Sequence, residues 1–191
     1  MPRVILDGAR CPELLDDLEA AAHAFARRFD RRPSLWDQAL EGRWTGGQHA
    51  EHLVKMHALL ADALEAARVD LVNGELPPAP RRGLLQRGFV WLVTQREHFP
   101  RGGRTTAGGR PTSSPERATT LEALERQVAR YRRLADGLTD AQRGRLWTRN
   151  PFTGFGLRWH YTLPEALRVQ AQHTRHHAEQ LDEIEAENVA F

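Results

Sequence analysis

The chain reads as an all-α protein, a four-helix bundle with one long crossover between its second and third helices. Three observations predict this. Four segments repeat apolar residues at spacings of three and four, no segment alternates apolar and polar residues long enough for a strand, and Gly, Pro and capping residues punctuate the helical stretches. The first bundle helix runs over about 13–29, where Leu14, Leu18, Ala22, Phe25 and Phe29 form one stripe and Arg31-Arg32-Pro33 ends it. The second runs over about 47–71, with Leu53, Met56, Leu60 and Leu64 inward, until Gly and Pro in "NGELPPAP" break it. The third covers about 119–138, opening on a capping box from Thr119 to Glu122 and carrying Leu121, Leu124, Val128, Tyr131 and Leu138. The fourth, 162–187, opens on Thr162-Leu163-Pro164-Glu165, a capping Thr three residues before Glu with Pro in the first turn, where its missing N–H costs nothing.

The crossover, 72–118, holds two kinds of sequence. "LLQRGFVWLVTQRE", from Leu84 to Glu97, is apolar enough for a short helix on the bundle, whereas "FPRGGRTTAGGRPTSSPER" reads as an exposed loop. The run Phe89 to Val93, "FVWLV", is a candidate homodimer contact if its own bundle does not cover it.

Composition narrows the function. At 191 residues the chain fits one domain that buries about 70% of its unfolded surface. Cys11 is the only cysteine, which excludes an internal disulfide and a cysteine-built zinc site. The apolar run at the start is too short for a signal peptide and no stretch of 18 apolar residues follows, so a cytoplasmic protein is expected. Lys55 is the only lysine among 27 basic residues, and 25 acidic residues interleave with them for a net charge of +2. No helix carries a basic face with interleaved aromatics, so nucleic acid is not an expected partner.

The histidines are the distinctive feature. Three of nine lie in "AQHTRHHAEQ", and the fourth helix's inward stripe reads Ala166, Val169, His173, His177, Leu181, Ile184. Two imidazoles thus stand where apolar residues belong, one turn apart on one face, able to grip one ion. Spacing alone is weak, since chance gives roughly 0.4 such pairs in this composition. Placement on a core stripe is the stronger signal. A third ligand must come from a facing helix, as bundles build their metal sites. The second helix offers His49, read as a polar residue of the first turn, His57, read as lying on a solvated face, and His52, beside the apolar stripe.

"Trp44-Thr45-Gly46-Gly47-Gln48-His49-Ala50-Glu51-His52-Leu53" followed by "Leu163-Pro164-Glu165" and "His173-Thr174-Arg175-His176-His177" resembles the DinB/YfiT-like superfamily of metal-binding four-helix bundles. In that superfamily a Trp-Ser/Thr pair opens the second helix, a His-Leu pair follows, and an H-x-x-H-H cluster sits on the fourth. By position the resemblance implies His52, His173 and His177 as ligands to one divalent ion. Zn²⁺ and Ni²⁺ both suit imidazole. "Asn150-Pro151-Phe152-Thr153-Gly154-Phe155-Gly156" is similar to the turn before the fourth helix, with Asn150 where some relatives have His. "Phe99-Pro100-Arg101-Gly102" is similar to one branch. His49, Glu51 and His176 are candidates for groups behind the ligands, His176 lying about 80° around the helix from the pair, toward the second layer or the surface. The resemblance implies a metal-dependent hydrolase, or a transferase or isomerase using a low-molecular-weight thiol, and as the alternative a stress-associated metal-binding protein without turnover. The open side is expected to face the crossover and the "NPFTGFG" turn, with Arg101, Arg104, Arg110 or Arg158 available to a substrate carboxylate.

Overall fold

The computed structural model describes residues 10–99, 105–152 and 159–189. Its bundle helices are α1 (Cys11–Arg31), α2 (Gly46–Val72), α4 (Arg117–Ala135) and α6 (Leu163–Val189), with α3 (Leu84–Gln95) in the crossover and a short α5 (Asp140–Arg145) after α4. α1 packs on α6 and α4, α2 packs on α4 and α6, and α3 lies against α6. The chain is an all-α bundle, as its periodicity predicts. The stripes of α1 and α6 are buried throughout, Leu18, Phe25, Phe29, Ala166 and Leu181 completely. Among the described residues no helix is long and apolar enough to cross a membrane.

The helix starts explain themselves chemically. Thr45 caps α2, its hydroxyl accepting from Gln48 N–H at 3.2 Å while Gln48 Oε1 accepts from Thr45 N–H at 3.0 Å. Gly46 and Gly47 let the preceding 3-10 turn, Pro33–Trp36, press on this end: a Cβ on Gly46 would stand 2.2 Å from the Leu35 carbonyl oxygen, and one on Gly47 2.6 Å from Trp36 Cε2. At α6, Thr162 donates its N–H and its hydroxyl to Glu165 Oε2, both at 2.9 Å. Glu165, 4% exposed, also takes a forked ion pair from Arg82, which ties the crossover to the start of α6.

Three expectations are corrected. The third bundle helix starts at Arg117 instead of Thr119, because the Glu116 carboxylate accepts from the N–H groups of both Ala118 and Thr119. It ends at Ala135, where Asp136 turns extended and Gly137 takes a φ of +71°; Leu138 is buried from the following loop. The third correction is a small hairpin, β1 (Trp147–Arg149) and β2 (His160–Thr162), pairing antiparallel with Trp147 opposite Thr162. Three-residue strands are too short to leave an alternation in the sequence. The "FVWLV" run is split: Val90 and Val93 are buried under their own bundle, while Trp91 is 46% exposed and Leu84 and Leu85 stand out further.

Candidate metal centre

α2 and α6 bring together the three histidines singled out in the sequence. His52, His173 and His177 are all buried, and their ligand nitrogens lie within 4.8 Å of one another. His173 Nε2 is 3.3 Å from His52 Nε2 and 3.0 Å from His177 Nε2. A tetrahedral ion about 2.0–2.1 Å from each nitrogen requires ligand–ligand edges of about 3.3–3.4 Å; the His52–His173 edge matches this and the His173–His177 edge falls slightly short of it.

The outer nitrogens decide which atoms can face inward. His52 Nδ1 is 2.7 Å from the Gly109 carbonyl oxygen, which only accepts, so Nδ1 carries the proton and Nε2 keeps its lone pair. His177 Nδ1 is 2.9 Å from His49 Nδ1. With the His177 Nε2 lone pair turned inward, His177 donates and His49 accepts. Burial depresses all of these imidazoles: His173 and His177 well below their ordinary value, His49 to about 3 with the charges of His52, His176 and Arg43 adding to burial, and His52 less, because the Gly109 hydrogen bond opposes burial. The cluster is therefore neutral at neutral pH, the form a metal needs.

Aromatic rings wall the site. Trp44 lies over His52, centroids 4.9 Å apart, and stacks at 6.5 Å on His177; Phe99 stacks at 4.8 Å on His173 and at 5.6 Å on His176. Beside them opens a cleft of about 760 Å³ reached by Arg43, Gln48, His176, Gln180 and, from the crossover, Thr105, Arg110 and Pro111. His176 is buried at 8% exposure and lines the cleft, so it is not a surface residue. Arg101, Arg104, Arg158 and the Thr153–Gly156 part of the turn lie outside the described residues. Asn150 accepts from Phe152 N–H and Phe152 packs on the core; the described part of that turn adds nothing to the cleft wall.

Glu51 is spent elsewhere. Burial alone would raise its pKa, but the Thr112 N–H and hydroxyl and Lys55, at 2.9 Å, outweigh that and hold it low. It clamps a strap of crossover, Gly109–Thr112, onto α2. Lys55 Nζ donates to the Arg110 carbonyl at 2.7 Å, and Gln48 Nε2 to the Thr112 carbonyl at 3.0 Å. Gly109 itself is buried, where a Cβ would come within 2.8 Å of Met56 Sδ and 3.6 Å of His52 Cε1. The strap's hold on His52 carries no side-chain signature, since it works through the Gly109 carbonyl.

His57 overturns its reading as a solvated residue: it is fully buried. The Thr174 hydroxyl donates to Gln170 O and accepts from His57 Nε2 at 3.3 Å, the Tyr131 hydroxyl donates to His57 O, and His57 Nδ1 has no partner among the described residues. Burial takes His57 to about 3.

The family model of the DinB superfamily matches residues 9–181 of the chain, a span holding every residue of the cluster. Neither a curated protein nor a solved structure matches it.

Proposed function

We propose that this chain, which belongs to the DinB superfamily, is a metal-dependent enzyme in which His52, His173 and His177 hold one divalent ion, zinc or nickel, and which transfers a low-molecular-weight thiol. The observation that carries the reading is the convergence of three buried nitrogens, 3.0 and 3.3 Å apart around His173, with the outer nitrogens of His52 and His177 already engaged. When bound, such an ion supplies Lewis acidity and holds a thiol that reaches it as the thiolate. A donor set without carboxylates leaves the full ionic charge for that task.

Thiol transfer is favoured over the hydrolase reading by what the cleft lacks. Among the described residues no carboxylate lines it, Glu51 being held by the strap, and His49 is both too weak a base at about 3 and engaged with His177. A thiol, with a pKa of about 8.5 before it meets the ion, ionises there without a base beside it, whereas hydrolysis also needs protons delivered to the leaving group, for which the cleft's described residues offer no carboxylic acid. Trp44 and Phe99 keep water from two sides of the ligand rings. The same lack favours, as a second reading, a metal-binding protein without turnover.

The test is elemental analysis followed by assay. One ion per chain is expected, with conjugation of a small thiol to an electrophile lost on chelation and restored by zinc or nickel. Purified protein that takes up neither ion would end the metal reading; metal-loaded protein inert toward thiols and esters alike would select the second one. We further propose that α3 is a homodimer contact, through Leu84, Leu85 and Trp91, its exposed large apolar residues.

A further inference from the structure

We propose that the cleft takes a small organic anion whose carboxylate pairs with Arg110, an inference that rests on the metal-enzyme reading above. The cleft is of small-molecule size, about 760 Å³, and its formal charge is one-sided. Arg43 and Arg110 line it, and no carboxylate is among its described lining residues. Trp44, Phe99 and Pro111 give it planar and apolar walls, which suit an organic body over a bare inorganic ion.

The two arginines differ in what they are free to do. Arg43 is engaged, its guanidinium 3.1 Å from Glu183 Oε2. The Arg110 guanidinium has no hydrogen bond or ion pair among the described residues, while its main chain is among the most firmly held parts of the crossover. The carbonyl before it takes His52 Nδ1–H at 2.7 Å, its own carbonyl takes Lys55 Nζ at 2.7 Å, and two residues on, Thr112 is bound by Glu51 and Gln48. Through these main-chain bonds the exposed Arg110 side chain is rooted where it lines the cleft. Held this way, its root stays one residue from the group that steers His52, and its planar fork, matched to a carboxylate, is left to a ligand.

The probes are 3-mercaptopropionate and its uncharged isostere 3-mercaptopropionamide, titrated into cobalt-loaded protein at low salt and read by the sulfur-to-cobalt charge-transfer band. Wild type should bind the acid roughly two- to fivefold more tightly than the amide, the span of a solvent-exposed ion pair at low salt. Arg110→Gln should bring the two to equality through loss of acid affinity, with cobalt loading and melting temperature unchanged, because only main-chain atoms of the strap touch the ligands. Equal affinities in wild type, failure of the acid to bind, or a preference that survives in Arg110→Gln overturns the proposal while leaving the metal reading intact. Failure of wild type to load cobalt removes the metal reading, and this inference with it.

Discussion

Replacing His49 with Leu isolates a single hydrogen bond and tests which way it runs. His177 Nδ1 stands 2.9 Å from His49 Nδ1, with the two residues 6% and 5% exposed, so water does not replace a lost partner. In the metal-bound protein His177 must turn its Nε2 lone pair inward and therefore carry its proton on Nδ1. Without His49 that N–H is buried and unmatched, a cost of about 1–3 kcal/mol. That range, about 5- to 150-fold, brackets the roughly 10–100-fold loss of affinity seen when a group behind a metal ligand is removed. The metal-free protein escapes the cost, because His177 can move its proton to Nε2 and donate to His173, 3.0 Å away. His49→Leu should therefore weaken zinc binding by about 10–100-fold, measured by competition with a chromophoric chelator, and leave the melting temperature of the apo protein nearly unchanged. His49→Gln, whose amide oxygen again accepts, should recover part of the affinity. Wild-type affinity in His49→Leu, or a Gln variant as weak as Leu, would refute the assignment of donor and acceptor.

His177→Ala should abolish metal binding, whereas His176→Ala should weaken it by no more than about 10–100-fold; equal and complete loss from both would mean that the wrong face of α6 had been assigned. Metal removal should lower the melting temperature, by the equivalent of about 4 kcal/mol at a thousandfold excess of ion over Kd, yet leave helical circular dichroism at room temperature nearly intact, since the bundle has its own apolar core. The pH dependence has a fixed sign. His49 and His57 are held neutral at about 3 in the fold while the unfolded chain takes up protons near 6.5, so apo stability is full above about 6.5 and falls on acidification toward 3. The slope is up to about 1.4 kcal/mol per pH unit for each such ring, read by chemical denaturation at stepped pH. Gly47→Ala should cost about 1–3 kcal/mol in the same assay, because its Cβ would stand 2.6 Å from the Trp36 indole, which is buried, packed on Phe29 and tied by its N–H to the Pro115 carbonyl. Light scattering should report a dimer that Leu85→Glu dissociates; a wild-type monomer at high concentration would remove that contact.

The parts of this molecule that were legible in the sequence are those written by side-chain periodicity and short-range chemistry. The α6 stripe carried His173 and His177 because a helix face repeats regularly enough for a polar intruder to show, and the structure buries every residue of that stripe. His57 was misread because α2 is packed by α4 on one side and α6 on another, so the angle from the main stripe did not mean solvent. The start of α4 differs because two capping candidates compete there and Glu116, three residues ahead of Thr119, satisfies two N–H groups at once. Gly109 was invisible for a deeper reason: a carbonyl that orients a ligand is common to all residues, and only the glycine's lack of a Cβ beside Met56 and His52 hints at its place.

That anonymity makes the strap exchangeable. His52 is steered by a main-chain oxygen, and Lys55 and Gln48 likewise grip carbonyls, so this strap, the Thr112 hydroxyl apart, is held by atoms that every sequence provides. Its side chains can then be rewritten, Arg110 first among them, while the three imidazoles keep their tautomers and their spacing. The bundle works as a chassis that carries the reactive centre, and the crossover as a cartridge that chooses what meets it. Grafting a crossover of different length or charge, with a small residue retained at 109, should redirect ligand preference in one step without the helices having to be redesigned.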